Sequence, residues 1–375
     1  MITKYITMSY PRIDRSMKAK RNRWKSILKA LLLFTSPLLF NFCERRPLED
    51  DEFARAAMIE VKIDWSKSGI DPDSRDGNGV HRASLRFFPK DGHSPVFDLY
   101  LEGNVREGRI QVPVGKYSVI VFNESVDDRS YWDGRITFTD VNSFSNFAAN
   151  AVPFGAAQRT SQFPFYSPYA GEEFIVEPLH LASWSIEHFE VTEKMILVSH
   201  GERLPHYLSE EENGMFNALT NITMRALTRP VNINARVENL ISTHIAYAAM
   251  QGFANKVYMA SARTTYNPSS YLFTFDRRKY DSNGKDGVMN SRFLSFGRTP
   301  SSGAYPESYK VAADILFVNG DHYKPERPLL FDVTGQVLSN YDTSIDIDLF
   351  INYSLPLVEG GIAVDEWEDN VYTID

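Results

Sequence analysis

Apolar and polar residues alternate with a period of two in several separate segments of this 375-residue chain. In the first, Ile59, Val61, Ile63 and Trp65 are separated by charged residues. The pattern recurs at residues 81–87, 231–237 and 345–355. Such alternation places the apolar side chains on one face of a β-strand, and this face must be buried against another layer. The pattern therefore predicts an all-β fold.

The residues between these segments support sandwich domains with few helices. Residues 117–122 are apolar on both faces, which is typical of a central strand. Turn-forming clusters such as Asp71-Pro72-Asp73 and Asn283-Gly284 separate the strands. Only two helical patterns occur: a capping box at Ser209–Glu212 and a short repeat from Ile241 to Met250. Many short strands with frequent turns predict β-sandwiches.

The N-terminal region predicts export. A basic segment, residues 18–29, is followed by an uncharged stretch at residues 30–42 and then by Cys43, the only cysteine. A basic region before a short apolar one is typical of a signal peptide. We therefore predict a signal peptide at 1–42 and a lipid-modified Cys43, with palmitate as one acyl group. Met17 begins a second suitable leader, so residues 1–16 can lie upstream of the true start. The alternative is an unmodified Cys43, since Phe42 precedes it.

Size and charge limit the number of domains and the kinds of partner expected for residues 43–375. The 1–42 segment carries nine Lys/Arg and one Asp, so its removal leaves 31 basic and 47 acidic residues, a net charge of −16. This excess of acid argues against nucleic-acid binding. About 330 residues exceed the usual size of a single core. We predict a tether at 43–54, an N-terminal sandwich at 55–200, and a linker with a C-terminal sandwich at 201–375.

The sequence contains no recognisable catalytic motif. A nucleophile elbow, a metalloprotease helix, a P-loop and a dinucleotide-binding glycine motif are all absent. Two loops, at 71–77 and 281–287, superficially resemble calcium loops, but Arg75 and Lys285 stand where ligands would be required. They are interpreted as hairpin loops. The prediction is a protein without catalytic residues, cofactor or metal site.

An aromatic stretch between Val141 and Gly171 has neither strand nor helix periodicity. Phe163, Phe165 and Tyr166 lie within it among small polar residues. These rings either form a surface that stacks on sugars or docks a partner, or belong to a long loop that covers the open side of the first sandwich.

A family resemblance adds a fold and a function. The segment Val112–Asn123, with Pro113, Gly115 and Tyr117, resembles a strand of the fimbrillin-like and fimbrial anchor lipoproteins of the outer membrane. The segments Cys43–Leu48, Ala249–Phe253 (taken as a turn) and Gly360–Trp367 follow in the same order as in that group. The resemblance implies two tandem transthyretin-like β-sandwiches, lipid attachment to the outer membrane and a part in anchoring surface fimbriae.

This resemblance leads to a non-catalytic, surface-exposed fimbrial anchor or accessory subunit. Its partners would be fimbrial subunits, bound by β-strand addition in which main-chain hydrogen bonds provide affinity. Ile362, Val364 and Trp367 in the last predicted strand are the candidate contact residues. The alternative is a glycan-binding surface lipoprotein of a polysaccharide-uptake system, with Phe163, Phe165 and Tyr166 stacking on the sugar. A secreted hydrolase is a third hypothesis, which the absence of an acid, base or nucleophile cluster disfavours.

Overall fold

A computed structural model of the chain describes residues 55–74, 80, 82–126, 134–154, 174–201, 207–266, 268–275, 277–300, 308–317, 329–339, 344–351 and 372–373. The predicted signal peptide and tether lie outside these ranges. Strands dominate the described residues, which contain only three short α-helices, so the all-β prediction is confirmed. None of the described helices has the length and apolar character needed to cross a membrane.

The strands in the first part of the chain are β1 Ala56–Asp64, β2 Arg82–Pro89, β3 Phe97–Glu102, β4 Glu107–Pro113, β5 Gly115–Phe122, β6 Ile136–Thr139, β7 Ala148–Ala151, β8 Phe174–Ile175, β9 Ala182–Val191, β10 Ile222–Thr223 and β11 Arg225–Ala226. Those in the remainder are β12 Arg229–Val237, β13 Thr243–Ala254, β14 Lys256–Tyr258, β15 Pro268–Thr274, β16 Arg277–Tyr280, β17 Gly287–Ser295, β18 Lys310–Phe317, β19 Leu329–Asp332, β20 Ile345–Ile351 and β21 Tyr372–Thr373. The helices are α1 Glu193–Ser199, α2 Glu210–Phe216 and α3 Thr334–Ser339.

The first core lies between two sheets. One has the strand order β10-β1-β4 and the other β11-β9-β5-β2-β3. In β1 the predicted inward residues are buried, and Glu60, Lys62 and Asp64 between them are exposed. The same alternation puts Leu85 and Phe87 of β2 into this core. Amphipathic strands thus bury one face each, as their sequence pattern predicts.

A close-packed corner joins β4 to β5. Tyr117 is buried, and its hydroxyl donates a hydrogen bond of 3.0 Å to the Pro113 carbonyl oxygen. A Cβ at Gly115 would lie only 2.8 Å from the Tyr117 hydroxyl. Pro113 and Gly115 therefore lie at a tight turn that leads Tyr117 into the core, and a side chain at residue 115 would press against the tyrosine ring.

The second core is enclosed mainly by two larger sheets. Their strand orders are β16-β17-β12-β20 and β21-β19-β18-β13-β15-β8. A three-stranded sheet, β14-β7-β6, contributes Ile136, Ala149 and Val257 to the same core. Strand β20 pairs in parallel with β12 over seven residues, and its burial alternates as the sequence predicts.

The predicted helix from Ile241 to Met250 is wrong. Leu240–Ser242 form a short 3-10 turn, and β13 begins at Thr243. Strand β13 pairs with β15 on one side and β18 on the other, and Ala248, Ala249 and Met250 are all buried. Burial on both faces removes the period of two, so the apolar run suggested a helix.

The predicted turn at Ala249–Phe253 is wrong too, because these residues continue β13. Gly252 has a φ of +100° and lies at a β-bulge between Gln251 and Phe253. A Cβ there would be 2.3 Å from the carbonyl oxygen of Ser308, so this position accepts only glycine.

Helix α2 confirms the predicted capping box. The Ser209 hydroxyl accepts a hydrogen bond of 3.1 Å from the Glu212 amide, and the Glu212 carboxylate accepts one of 2.9 Å from the Ser209 amide. The bond from the Ser209 amide is the main cause that lowers the pKa of Glu212. This reciprocal pair starts the helix even though none of its residues is fully buried.

Two cores exist, but their strands interleave along the sequence. Residues from Ala56 onward form one compact unit. Strands β7 and β8 precede residue 200 yet pair with β14 and β15, whereas β10 and β11 follow it and pair with β1 and β9. The division into domains at 55–200 and 201–375 stays a prediction.

Candidate interaction surfaces

The predicted site residues all fall outside the described ranges. They are Cys43, Ile362, Val364, Trp367, Phe163, Phe165 and Tyr166. Their assigned roles in lipidation, partner binding and ligand stacking stay predictions.

The described rings of the aromatic stretch pack against other aromatic rings, although Phe144 is only partly buried. Phe147 is fully buried, and its ring centroid lies 5.6 Å from that of Phe122 and 5.3 Å from that of Phe138. Phe144 stands at 5.7 Å from Phe88. Strand β7 also crosses this stretch, for which the sequence indicated no strand. These rings belong to the second core, whereas the loop hypothesis assigned them to the first sandwich.

One candidate surface surrounds the hairpin that follows β14. The hairpin is held from several directions: the hydroxyls of Ser183 and Ser185 donate to the carbonyl oxygens of Met259 and Ala260 at 2.7 and 2.8 Å. The Arg225 guanidinium also donates to the Ala260 carbonyl. Ala262 adopts a left-handed conformation at φ +57°. The loop is therefore fixed to β9 by side-chain hydrogen bonds.

Two shallow clefts flank this hairpin, with volumes of about 570 and 610 Å³. Tyr258 and Arg263 line both clefts, and Arg229 and Tyr266 line the larger one. Tyr266 is 53% exposed. A rigid loop that presents tyrosine rings beside arginine side chains is suited to stacking and hydrogen bonding with a polar ligand.

A second candidate surface is the outward face of β20, together with its edge that no other described strand pairs with. Asp346 and Asp348 lie on the exposed face opposite Asn232 and Asn234 of β12. The Asn232 amide donates to Asp346 at 2.7 Å and the Asn234 amide to Asp348 at 3.1 Å. This cross-strand ladder holds two carboxylates in line along the margin of the sheet.

A side chain of α3 contacts the main chain of that strand. The Asp348 amide donates to Gln336 Oε1 at 2.8 Å, and Gln336 Nε2 donates to the Asp348 carbonyl oxygen at 3.1 Å. Sequence reasoning predicted the strand but missed Gln336. The alternation in residues 345–351 signals the strand, whereas nothing in the local sequence signals that a glutamine twelve positions away pairs with it.

The described residues show no catalytic or metal-binding arrangement. Among them, no group of three or more His, Cys, Asp or Glu side chains could hold a metal ion. His188 lies 2.9 Å from the Lys90 amine, and burial, followed by the charge of Arg292, lowers the pKa of His180. The loop at Asp281–Gly287 connects β16 to β17, as predicted for a hairpin.

Within the part of the chain that the structure describes, the fold and these surfaces define an all-β protein with two main cores and a sheet edge, at β20, that no other described strand pairs with. Residues 42–274 match the family described as "Domain of unknown function (DUF5119)". This match covers more than half of the chain, so the protein belongs to that family.

Comparison with a named relative points in the same direction as the predicted resemblance. The chain is 33% identical over 97 residues to a Bacteroides ovatus protein named "Putative fimbrium anchoring subunit Fim4B". The matching segment is 26% of this chain and 26% of that protein, so it spans about a quarter of the relative's length. The predicted resemblance to a fimbrial anchor-like family is confirmed.

Two solved structures are similar to this chain to different degrees. A Bacteroides ovatus protein described as a "putative adhesin" has a TM-score of 0.50 at 14% identity, covering 84% of this chain and 98% of that one. The fimbrial anchor protein Mfa2 of Porphyromonas gingivalis has a TM-score of 0.41 at 13% identity, covering 79% and 90% of the two chains. The first of these supports the β-sandwich fold alone.

Proposed function

We propose that this protein is a non-catalytic fimbrial anchor or accessory subunit. It is attached to the outer membrane through acyl groups on Cys43, lies at the cell surface and binds fimbrial subunits by β-strand addition. The observation that carries the proposal is the 33% identity over 97 residues to a fimbrium anchoring subunit. The all-β fold supports it, and so does the edge of β20 that no other described strand pairs with, since strand addition requires such an edge.

The binding part of the proposal is tested by co-purification. Tagged full-length protein, purified from fimbriated cells of its host, should carry fimbrial subunits that mass spectrometry identifies. Deletion from Ile362 onward, or Val364→Pro, should abolish this association, because proline removes a ladder donor. The first core should stay folded, as judged by circular dichroism and limited proteolysis.

A matched variant separates this function from glycan binding. The triple change of Phe163, Phe165 and Tyr166 to Ala should leave the association with fimbrial subunits intact. Tyr266→Ala, which truncates an exposed ring beside the larger cleft, should leave it intact as well. If these aromatic variants lose binding to a polysaccharide while the C-terminal deletion keeps normal assembly, the glycan-binding hypothesis replaces the fimbrial one.

The attachment is tested at Cys43. Mature protein should fractionate with membranes, because each buried methylene of an acyl chain contributes about 0.8 kcal/mol. Cys43→Ala should release the protein into the soluble fraction. An unmodified Cys43 in the mass spectrum of the mature protein would contradict lipidation.

A further inference from the structure

Strand β20 has one paired edge and one open edge among the described residues. All seven of its residues are in parallel register with β12, and no bulge interrupts the pairing. The carbonyl oxygen of Ile351 accepts a hydrogen bond from the Glu238 amide that follows β12, so the main chain of Ile351 faces β12. Successive residues of a strand face opposite edges. The main-chain groups of Asp346, Asp348 and Phe350 therefore face outward.

At the middle of this outward edge, Gln336 takes the place of a neighbouring strand. A primary amide carries one acceptor and two donors, so it can offer the same pair of hydrogen bonds as one residue of a β-ladder. Gln336 does so with Asp348, at 2.8 and 3.1 Å. Helix α3 holds it there, because Val337 is buried in the second core and the Thr334 amide donates to Asp332 Oδ1 at 3.0 Å.

The two margins of this sheet are protected differently. The opposite margin, β16, contains Arg277, Arg278 and Lys279 in succession, and positive charges on an edge strand disfavour pairing with another chain. Strand β20, with the sequence IDIDLFI, has no Lys, Arg, Pro or Gly. Phe350 is 46% exposed. An edge of regular register is a template for strand pairing, and among the described residues the Gln336 side chain is what contacts it.

We infer that the outer edge of β20 is the docking site for an extended segment of a fimbrial subunit, and that Gln336 occupies this edge until the segment displaces it. This inference rests on the proposed function. The segment would carry basic side chains at two alternate positions, because Asp346 and Asp348 line the exposed face beside the edge, two residues apart. Opposite charges on adjacent strands stabilise their pairing. The incoming strand replaces the two neutral hydrogen bonds between Gln336 and Asp348, and it adds others with the main-chain groups of Asp346 and Phe350.

The test uses the full-length protein and a synthetic nine-residue peptide of alternating lysine and valine. A peptide of alternating glutamate and valine is the matched control. Gln336→Met keeps the length of the side chain but removes the amide, so it should tighten lysine peptide binding about tenfold, as expected for losing two competing hydrogen bonds. Asp348→Pro should abolish binding, because it removes an outward main-chain donor and one carboxylate while sparing the main-chain bonds to β12. Leu338→Gln, on the exposed part of the same helix, should leave affinity unchanged.

Hydrogen exchange reports directly on the edge. The Asp348 amide should exchange slowly in the unmodified protein, faster in Gln336→Met, and slowly again when the lysine peptide is added. If Gln336→Met and Asp348→Pro bind the peptide as the unmodified protein does, the inference is wrong. If Gln336→Met forms dimers that the peptide does not dissociate, the edge accepts a second copy of this chain and the inference is also overturned.

Co-purification distinguishes failure of this inference from failure of the proposed function. If Val364→Pro abolishes association with fimbrial subunits while Asp348→Pro leaves it normal, the proposed function stands and the β20 site is rejected. If the unmodified protein carries no fimbrial subunit, the proposed function fails, and this inference with it.

Discussion

The two faces of the five-stranded sheet are held by different physical means. Toward the first core, Leu85, Phe87, Val119 and Val121 are fully buried in apolar contacts. Toward the second core, the same two strands place Arg86 and Ser118 among rings such as Phe88. One sheet thus has an apolar face and a face that combines aromatic rings with buried polar groups.

The polar face is organised by directional contacts. Arg86 Nη1 donates to Asp98 at 2.6 Å and Arg86 Nε to the Val141 carbonyl oxygen at 2.9 Å, and both ionic side chains are only 7% exposed. The guanidinium carbon lies 5.4 Å from the Phe147 ring centroid. Together with Ser183 and Ser185, these contacts define where the β6-β7 segment and the hairpin after β14 dock. Close packing of apolar side chains therefore stabilises the first core, whereas hydrogen bonds fix the positions of the β6-β7 segment and the hairpin on the other face.

The largest expected effect is on the apolar face. Phe87→Ala should lower the free energy of unfolding by about 3–5 kcal/mol, because a fully buried ring is replaced by a cavity. Denaturant unfolding followed by tryptophan fluorescence measures this loss. Phe87→Leu, which keeps most of the volume, should lose clearly less. An equal loss of unfolding free energy in both variants would mean that the volume of the buried side chain is not what stabilises this face.

A slightly smaller effect is expected on the polar face. Arg86→Met should lower the free energy of unfolding by about 3 kcal/mol, because it leaves the buried Asp98 carboxylate without its guanidinium partner. The double change Arg86→Met with Asp98→Leu should recover most of this loss. If the double variant is as unstable as the single one, the guanidinium acts through Val141 and the rings and not through the ion pair.

The sequence predicted the apolar face of this sheet better than the polar one. The alternation Ala83, Leu85, Phe87 identified the inward residues of β2, and the two-sided apolar run in β5 indicated burial on both faces. Ser84 and Arg86 occupy the positions that alternation assigns to solvent, yet both are buried. Their partners, Glu124 and Asp98, are set by strand pairing and packing, which the local pattern does not encode.

The same limit applies to the candidate surfaces. The strand that contains Asp346 and Asp348 was predicted from its alternation, whereas the glutamine that contacts its edge was not. Strand β13 was mistaken for a helix because burial on both faces removes the alternation. Sequence patterns reveal one-sided amphipathic elements. A strand covered by two layers has no such alternation, so β5 was recognised and β13 was mistaken for a helix.

Hydrogen bonds from single hydroxyls should contribute less to the free energy of unfolding than the Arg86–Asp98 ion pair does. Ser183→Ala and Ser185→Ala should each lower the free energy of unfolding by about 1 kcal/mol, since each removes a bond to a hairpin carbonyl oxygen. The loss of protection at the hairpin should exceed the loss in the rest of the protein. Hydrogen exchange at residues 256–265 should accelerate in both variants while β1 keeps its protection. Uniform acceleration across both cores would show that these serines do not act on the hairpin specifically.

The smallest expected effect is a pH dependence of stability that arises from His180, just before β9. Burial, followed by the charge of Arg292, lowers the pKa of the half-buried His180 from its ordinary value of 6.5. The folded protein therefore binds a proton at this site less readily than the unfolded chain. The stability contributed by neutral His180 is present above pH 6.5 and is lost as the pH falls through the lowered pKa. Thermal unfolding between pH 5 and 8 should show a decline toward acid that His180→Gln reduces. Arg292→Gln should reduce the same decline, because it removes the neighbouring positive charge. If both variants keep the full pH dependence, groups other than His180 cause it.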